Sequence, residues 1–549
     1  QDQRNVGDMY LVSTKVGHPD LRAWKYPLPG DSVVSMIHRV IIDLSGPSPK
    51  MVRLQMGPDQ HRSTLCDDIA CRGGSWSDVE WYPDDSHLAF VSTSRDHKDE
   101  HLRIADANTG AIRDVLEEKV ATQYESGNGR INWHVLPASN EVIWFSERDN
   151  WGQLYLYDLT TGKLKQQITT GDGNVTQLLR IDDKNRELYF QAVGKEKGRD
   201  PYFRSLYKIG MDGKGLTLLT PENGDHDATL SPSGKYFVDS YSTPNVPPTT
   251  VLRDDNGKLI STLAKADISK LVATGWKPPQ PITVKARDGK TDLYGLMYVP
   301  TKLDSSKKYP IINHIYPGPQ TGSVGGRTFN PSRGDAQSLA ELGFVVVEID
   351  GMGTPWRSKS FHDAYYGNMG DNTLPDQIAA MKELAQRYKW IDISHAGIYG
   401  HSGGGFATAD AMFRYPDFFK VGISESGNHD NREYEDDWGE RYEGLDDGTN
   451  YNAAANQNLA KNLKGKLLLA HGTMDNNVPP NNTFLVVDAL IKANKDFDLL
   501  LLPNQPHGYG NMSNYMTRRR WDYFVKNLLG MDPPKEYEIG PKSAARATP

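Results

Sequence analysis

The sequence predicts two domains of different class. Residues 1–270 read as turn-rich β-structure, and residues 271–549 as a doubly wound α/β domain around a mostly parallel sheet. Three observations predict this. A chain of 549 residues is too long for one hydrophobic core. Its first half repeats a plan of short strands closed by turn residues. Its second half alternates apolar strand runs with helical patterns.

Composition narrows the function classes. Hydrophobic residues are 37% and charged residues 24%, which suits a globular chain rather than a disordered one. The net charge is −8, and no Lys/Arg run suggests a nucleic-acid face. No apolar stretch approaches the length of a membrane span. The opening QDQRNVGDMYLVST has no initiator Met, no basic region and no apolar targeting core, so the start reads as internal to a longer chain. The two cysteines, Cys66 and Cys71, lie in a polar loop and read as a small loop disulfide, with two free thiols as the alternative. A zinc site would need two more ligands besides the two thiols, which argues against one.

The β-rich half holds four similar units. VEWYPDDSHLAFVSTS leads to LRIADANTGAIRDVL, and INWHVLPASNEVIWFSERDNWGQLYLYDLTTGKLKQQI repeats the plan. LLRIDDKNRELYFQAV with SLYKIGMDGKGLTLLT makes a third, and ATLSPSGKYFVDSYS with TTVLRDDNGKLISTL a fourth. Strands are split by DD, NTG, TTG, DG and NG turns. The period of roughly 45–50 residues is that of a four-stranded propeller blade. The first 60 residues read as the end of one more blade. A closed propeller usually has more blades, so the expectation is a partial propeller. Its open strand edges would need the missing segment or a companion N-terminal fragment for a soluble, active protein.

The pattern changes near residues 265–285. WKPPQPITVKARDGKTDLYGLMYVP reads as a hairpin with an Asp288-Gly289 turn. YPIINHIYPG, GFVVVEID, HAGIYGHS, VGISES, KLLLAHG and FDLLLLPN read as strands, the long apolar ones as buried. LPDQIAAMKELAQRY sets Ile378, Met381, Leu384 and Tyr388 near helical spacing, with Asp376 in the first turn. GGGFATADAMFRY, NNTFLVVDALIKA and YMTRRRWDYFVKNLL complete the helices.

Within this domain, Gly400-His401-Ser402-Gly403-Gly404 fits G-x-S-x-G between a strand and a helix, the context of a nucleophile elbow and hence of an α/β-hydrolase. The turn lifts the Ser402 hydroxyl above the sheet, and the N–H of Gly403 faces a developing oxyanion. A serine needs a base. In this fold the chain order is Ser, then acid, then His, and the loops after two downstream strands present Asp475 and His507. His507 would take the proton of Ser402, and Asp475 would orient and stabilise the imidazolium. Asp488 and Asp498 are rival acids in helix and strand contexts. His471 is a rival base that precedes Asp475.

IYPGP, EIDGMGT, DQIAAMKEL, GHSGGG, DDWGERYEGL, HGTMDNNV and PHGYG, in that order, resemble the prolyl oligopeptidase family, and within it the dipeptidyl peptidase IV branch. The first 270 residues resemble the later part of that branch's propeller more loosely. The resemblance implies a serine exopeptidase that releases N-terminal dipeptides with Pro or Ala second, through an acyl-enzyme. Tripeptidyl, acylaminoacyl and oligopeptidases of the same family are the alternatives, with an esterase beyond them. It further implies Tyr316 as an oxyanion donor, Tyr434 and Trp438 on a common helix as aromatic walls of the S1 pocket, Asn477 as a holder of a substrate carbonyl, and Val478 as a pocket wall. A peptide substrate, a homodimer, no cofactor or metal, and a periplasmic, secreted or cell-surface location complete the expectation. The sequence departs from the branch at His401, Gly403 and Trp438, which bears on strict proline preference. The glutamate pair that binds the substrate's ammonium falls upstream of Gln1 by alignment. Glu117-Glu118 reads as a solvated surface pair.

Overall fold

The computed structural model describes residues 1–64, 77–127 and 130–540. Cys66 and Cys71, and with them the expected disulfide, lie outside these residues.

The four repeating units form four antiparallel sheets of four strands each, ordered up and down in chain sequence. They run from Val79–Trp81 to Ile112–Lys119, from His134–Leu136 to Leu164–Gln167, from Asn174–Asp182 to Thr217–Leu218, and from Asp225–Leu230 to Leu259–Lys265. Local chemistry builds the same hairpin twice. Asp106 accepts the N–H groups of Asn108 and Thr109, and Asp158 those of Thr160 and Thr161. Each turn then closes on a glycine at positive φ, Gly110 at 73° and Gly162 at 65°. A Cβ on Gly162 would lie 1.8 Å from the Val115 carbonyl oxygen of the preceding blade, so glycine also sets how closely blades approach. Successive blades bury a shared core, with Trp133, Trp144 and Tyr155 meeting Val91, Leu102 and Ile104.

The first 60 residues form two-stranded pairs instead of a full blade, among them Asp8–Val12 with Leu21–Lys25 and Val40–Asp43 with Lys50–Arg53. This segment clasps the far end of the chain. The Thr14 N–H donates to Asn504 Oδ1 at 2.7 Å, and Asn504 Nδ2 donates to the Thr14 carbonyl at 2.7 Å. The Tyr26 hydroxyl donates to the Asn477 carbonyl at 2.7 Å.

Glu118 corrects the expectation of a solvated glutamate pair. Neighbouring side chains on the strand Ile112–Lys119 face opposite sides. Glu117 is exposed beside Lys119, whereas Glu118 is buried and accepts from Trp144 Nε1 at 2.6 Å and Arg148 at 2.9 Å.

The second half is an eight-stranded sheet ordered Gln280–Lys285, Asp292–Tyr298, Val345–Ile349, Tyr309–His314, Ile391–His401, Phe419–Glu425, Lys466–Gly472 and Asp498–Leu502. The first two pairings are antiparallel and the remainder parallel. The helices Leu374–Arg387, Gly403–Arg414 and Asn481–Lys492 cover one face, and Ala336–Glu341 with Ser513–Leu528 the other. On Leu374–Arg387, Met381 and Leu384 are fully buried, and Ile378 packs at the rim with Tyr388 just past the helix end. The strand before Ser402 is central, so the loops past the C-terminal ends of the parallel strands gather around it. Among the described residues, no helix is long and apolar enough to cross a membrane.

Candidate active site

The site is built where the strand Ile391–His401 passes into the helix Gly403–Arg414. Ser402 sits between them at φ 61°, ψ −122°, a conformation costly for a residue with a side chain. The neighbours that allow the turn are glycines. A Cβ on Gly400 would lie 2.4 Å from the Ile315 oxygen, one on Gly404 2.1 Å from the same atom, and one on Gly405 2.3 Å from the Glu425 oxygen. The Ser402 N–H donates to the Glu425 carbonyl at 2.8 Å, tying the elbow to the adjacent strand. Gly403 opens the helix, so its N–H is one of the first-turn donors that the helix leaves unpaired.

Asp475 lies three residues past the strand Lys466–Gly472 and is wholly buried. Its Oδ1 accepts the N–H groups of Asn477 and Val478 at 3.0 and 2.9 Å. Its Oδ2 accepts from His507 Nδ1 at 2.7 Å. Burial pushes its carboxyl up, but hydrogen bonds from His471 and His507 outweigh that and hold it well below the usual carboxylate range. An ionised Asp475 accepts, so His507 carries its proton on Nδ1 and Nε2 is left as an acceptor.

The flanks of Ser402 reach the remaining parts. The ring of His401 packs on His507 with centroids 4.5 Å apart, and on Tyr509 at 5.4 Å. Burial, with His507 beside it, pushes His401 down to about 3, so its ring is neutral near pH 7. On the other flank a Cβ on Gly403 would sit 3.6 Å from the Tyr316 ring and 3.8 Å from its hydroxyl. Tyr316 also accepts from Gln320 Nε2 at 3.3 Å. His507 and the Tyr316 phenol thus lie on the two sides of the elbow.

The expected pocket residues come together as one apolar cluster. Tyr434, Trp438 and Val478 pack with Phe406, Tyr365 and Met369. The Tyr434 and Trp438 rings meet edge to face at 5.6 Å, and the Tyr434 hydroxyl donates to Asn477 Oδ1 at 3.2 Å. The common helix needs correction. Trp438 is on the helix Asp436–Tyr442, but Tyr434 precedes it in extended backbone, closing the short turn Asn431–Glu433.

The rivals have other duties. His471 is buried with Nε2 against the Val478 carbonyl at 2.9 Å and Nδ1 against Thr483 Oγ1 at 2.7 Å, so it buttresses the loop that carries Asp475. Asp488 pairs with Lys492, and Asp498 accepts the Tyr523 hydroxyl. Outside the site, Glu222, His226 and Asp239 bring one potential metal ligand each within 4.8 Å of one another. Arg253 supplies the positive charge there, 2.5 Å from Glu222, and both nitrogens of His226 already have partners, so the group does not fit a metal.

Sequence reasoning missed the residues that hold the pocket helix to the propeller. Arg62 reaches Asp436 at 2.5 Å, Arg95 grips both oxygens of Glu440 at 2.5 and 2.6 Å, and Arg441 reaches Gln123 at 3.0 Å and Glu125 at 3.2 Å. The density of charge in DDWGERYEGL was the available signal, because charges on a helix this buried need partners.

Comparison with known proteins gives the family. The model of the prolyl oligopeptidase family matches residues 330–530, and that of the dipeptidyl peptidase IV N-terminal region matches residues 1–248. The chain is 30% identical to dipeptidyl peptidase 4 of Arthroderma otae over 391 residues, 68% of this chain and 49% of that protein. It is 29% identical to human dipeptidyl peptidase 8 over 357 residues, 62% of this chain and 39% of that protein. It therefore spans about half the length, or less, of these curated relatives. A protein assigned as a dipeptidyl aminopeptidase IV in Bacteroides ovatus superposes with TM-score 0.84 at 27% identity, covering 96% of this chain and 74% of that one. Dipeptidyl peptidase 4 of Porphyromonas gingivalis shares the fold, with TM-score 0.81 at 24% identity over 95% of this chain and 71% of that one. The chain belongs to the prolyl oligopeptidase family, in its dipeptidyl peptidase IV branch.

Proposed function

We propose that this chain carries the catalytic apparatus of a serine exopeptidase that releases N-terminal dipeptides, with Pro or Ala in the second position. The observation that carries the reading is the Asp475–His507 hydrogen bond, set beside an elbow whose His401 ring packs on His507 and whose Gly403 lies alongside Tyr316.

Mechanism follows from the donors and acceptors. His507 Nε2 takes the Ser402 proton as Oγ attacks the scissile carbonyl, and the resulting imidazolium is stabilised by buried, ionised Asp475. The tetrahedral oxyanion receives the Gly403 N–H and the Tyr316 O–H; a phenol stays neutral near pH 7 and so remains a donor. Collapse expels the amine with the proton held on His507, leaving an acyl-enzyme that water resolves by the same steps. The Tyr434–Trp438 corner presents flat apolar walls suited to a pyrrolidine ring. Asn477, next to that corner, holds a substrate carbonyl, and Val478 closes the wall. No step calls on a metal or cofactor.

The test is the initial rate of Gly-Pro-p-nitroanilide hydrolysis by native enzyme, Ser402→Ala enzyme, and native enzyme with N-acetylated substrate. Cleavage of the free-amine substrate alone, with an inactive Ser402→Ala, is expected. Preference for the blocked substrate would keep the triad but move the activity to an acylaminoacyl- or endopeptidase.

A further inference from the structure

Residues 357–369 tie the propeller to the active-site loop from two sides. On the propeller side, the N–H of Lys359 donates to the Asn150 carbonyl at 2.8 Å and that of Ser360 to Asn150 Oδ1 at 2.8 Å. Asn174 Nδ2 donates to the Arg357 carbonyl at 2.7 Å, and Thr122 Oγ1 to Asp363 Oδ2 at 2.6 Å. Lys359 Nζ donates to the Gln123 carbonyl at 2.8 Å and lies 3.4 Å from Glu147.

On the catalytic side, the same segment sends two side chains to the loop that follows Tyr316. His362 Nε2 donates to the Pro319 carbonyl at 2.6 Å, and the Tyr365 hydroxyl donates to the Pro317 carbonyl. All four of these residues are buried. Proline has no N–H, so at 317 and 319 the loop can be held only through its carbonyls. These two donors are what holds them. The segment also reaches the pocket: the Gly367 N–H donates to the Tyr442 carbonyl at 3.1 Å, and the ring of Tyr365 lies in the cluster with Tyr434 and Trp438. A Cβ on Gly353 would fall 1.9 Å from that ring, so Gly353 is the residue that makes room for it.

We propose that residues 357–369 are a strap through which the propeller sets the position of the oxyanion tyrosine, with His362 and Tyr365 as positioning residues for Tyr316. The proposal rests on the reading of Tyr316 as an oxyanion donor. A hydroxyl aimed at a developing charge contributes only while it stays within hydrogen-bond reach, and displacements of about 1 Å cost up to about 100-fold in rate. Tyr365→Phe keeps the ring in the pocket and removes only the bond to Pro317.

The experiment measures kcat and KM on Gly-Pro-p-nitroanilide for native enzyme, Tyr316→Phe, Tyr365→Phe and the double variant. The expected result is a kcat loss of about 100-fold for Tyr316→Phe and about 10-fold for Tyr365→Phe, with KM nearly unchanged. The double variant should be no slower than Tyr316→Phe alone, because the strap acts through that hydroxyl. Multiplying losses in the double variant, or a loss confined to KM, would overturn the strap while leaving the oxyanion reading intact. An unchanged kcat in Tyr316→Phe, with Ser402→Ala inactive, would overturn both. A second pair covers the case in which Tyr365→Phe folds poorly. His362→Gln, which retains a donor for Pro319, should keep most of kcat, and His362→Leu should lose about tenfold. Equal losses in the two would count against the proposal.

Discussion

Asp475 shows how a buried charge is kept ionised. Two backbone N–H groups and His507 surround its oxygens, and these bonds outweigh the burial that would otherwise protonate it. Because its folded pKa lies below the unfolded value of 3.8, its contribution to stability is complete above about pH 4 and is lost as the pH falls below that. Asp475→Asn should therefore act twice. Its kcat should fall about 10⁴-fold, since an amide no longer fixes the tautomer of His507. Its melting temperature should also fall less steeply below pH 4 than that of the native protein, and equal acid slopes would contradict this account. The placement of Ser402, Asp475 and His507 just past strands of the sheet was legible in the sequence because each follows an apolar run, in the order this fold imposes. Arg62, Arg95 and Glu125 were not. Their partners lie 374, 345 and 316 residues away, and no local pattern marks such a pair.

At the scale of elements, the elbow depends on two glycines with different tolerances. Gly404 faces the Ile315 oxygen so closely that a methyl group would force apart the strand end carrying Tyr316, whereas Gly403 meets only ordinary contacts. Gly404→Ala should slow fluorophosphonate labelling of Ser402 by about 100-fold and destabilise the protein by about 2 kcal/mol. Gly403→Ala should melt as the native protein does. Similar melting of the two variants would refute this distinction. The blades could be read from the sequence because strand runs closed by NTG, TTG, DG and NG turns recur at a regular period, and the parallel strands because they are apolar along much of their length. Tyr434 was harder to place: spacing of four residues matches a helical turn, but the chain there is extended, and only the following Asp436 begins the helix. Glu118 was misread because adjacent glutamates look alike in a sequence, although a strand turns one outward and the other into the core.

Over the whole molecule, the pocket belongs to neither domain alone. Its helix is fastened to the propeller by Arg62, Arg95 and Arg441, and its partner loop by the strap. Arg95→Met would leave Glu440 buried without its bidentate partner, at a cost of about 3 kcal/mol. Urea unfolding should show that loss, and adding Glu440→Gln should recover part of it by removing the stranded charge. No loss in the single variant would show that the tie is dispensable. The clasp at Tyr26 and Thr14 has a different kind of consequence. Tyr26 is 451 residues ahead of Asn477, beside Asp475, and Thr14 is 490 ahead of Asn504, in the loop before His507. At about 5–20 residues per second, on the order of half a minute to a minute and a half of synthesis separates the two halves of each contact. The early hairpin must wait on the ribosome for partners not yet made. Under the mechanism proposed above, hydrolytic competence would arrive only once His507 has been translated, long after the hairpin that will brace its loop.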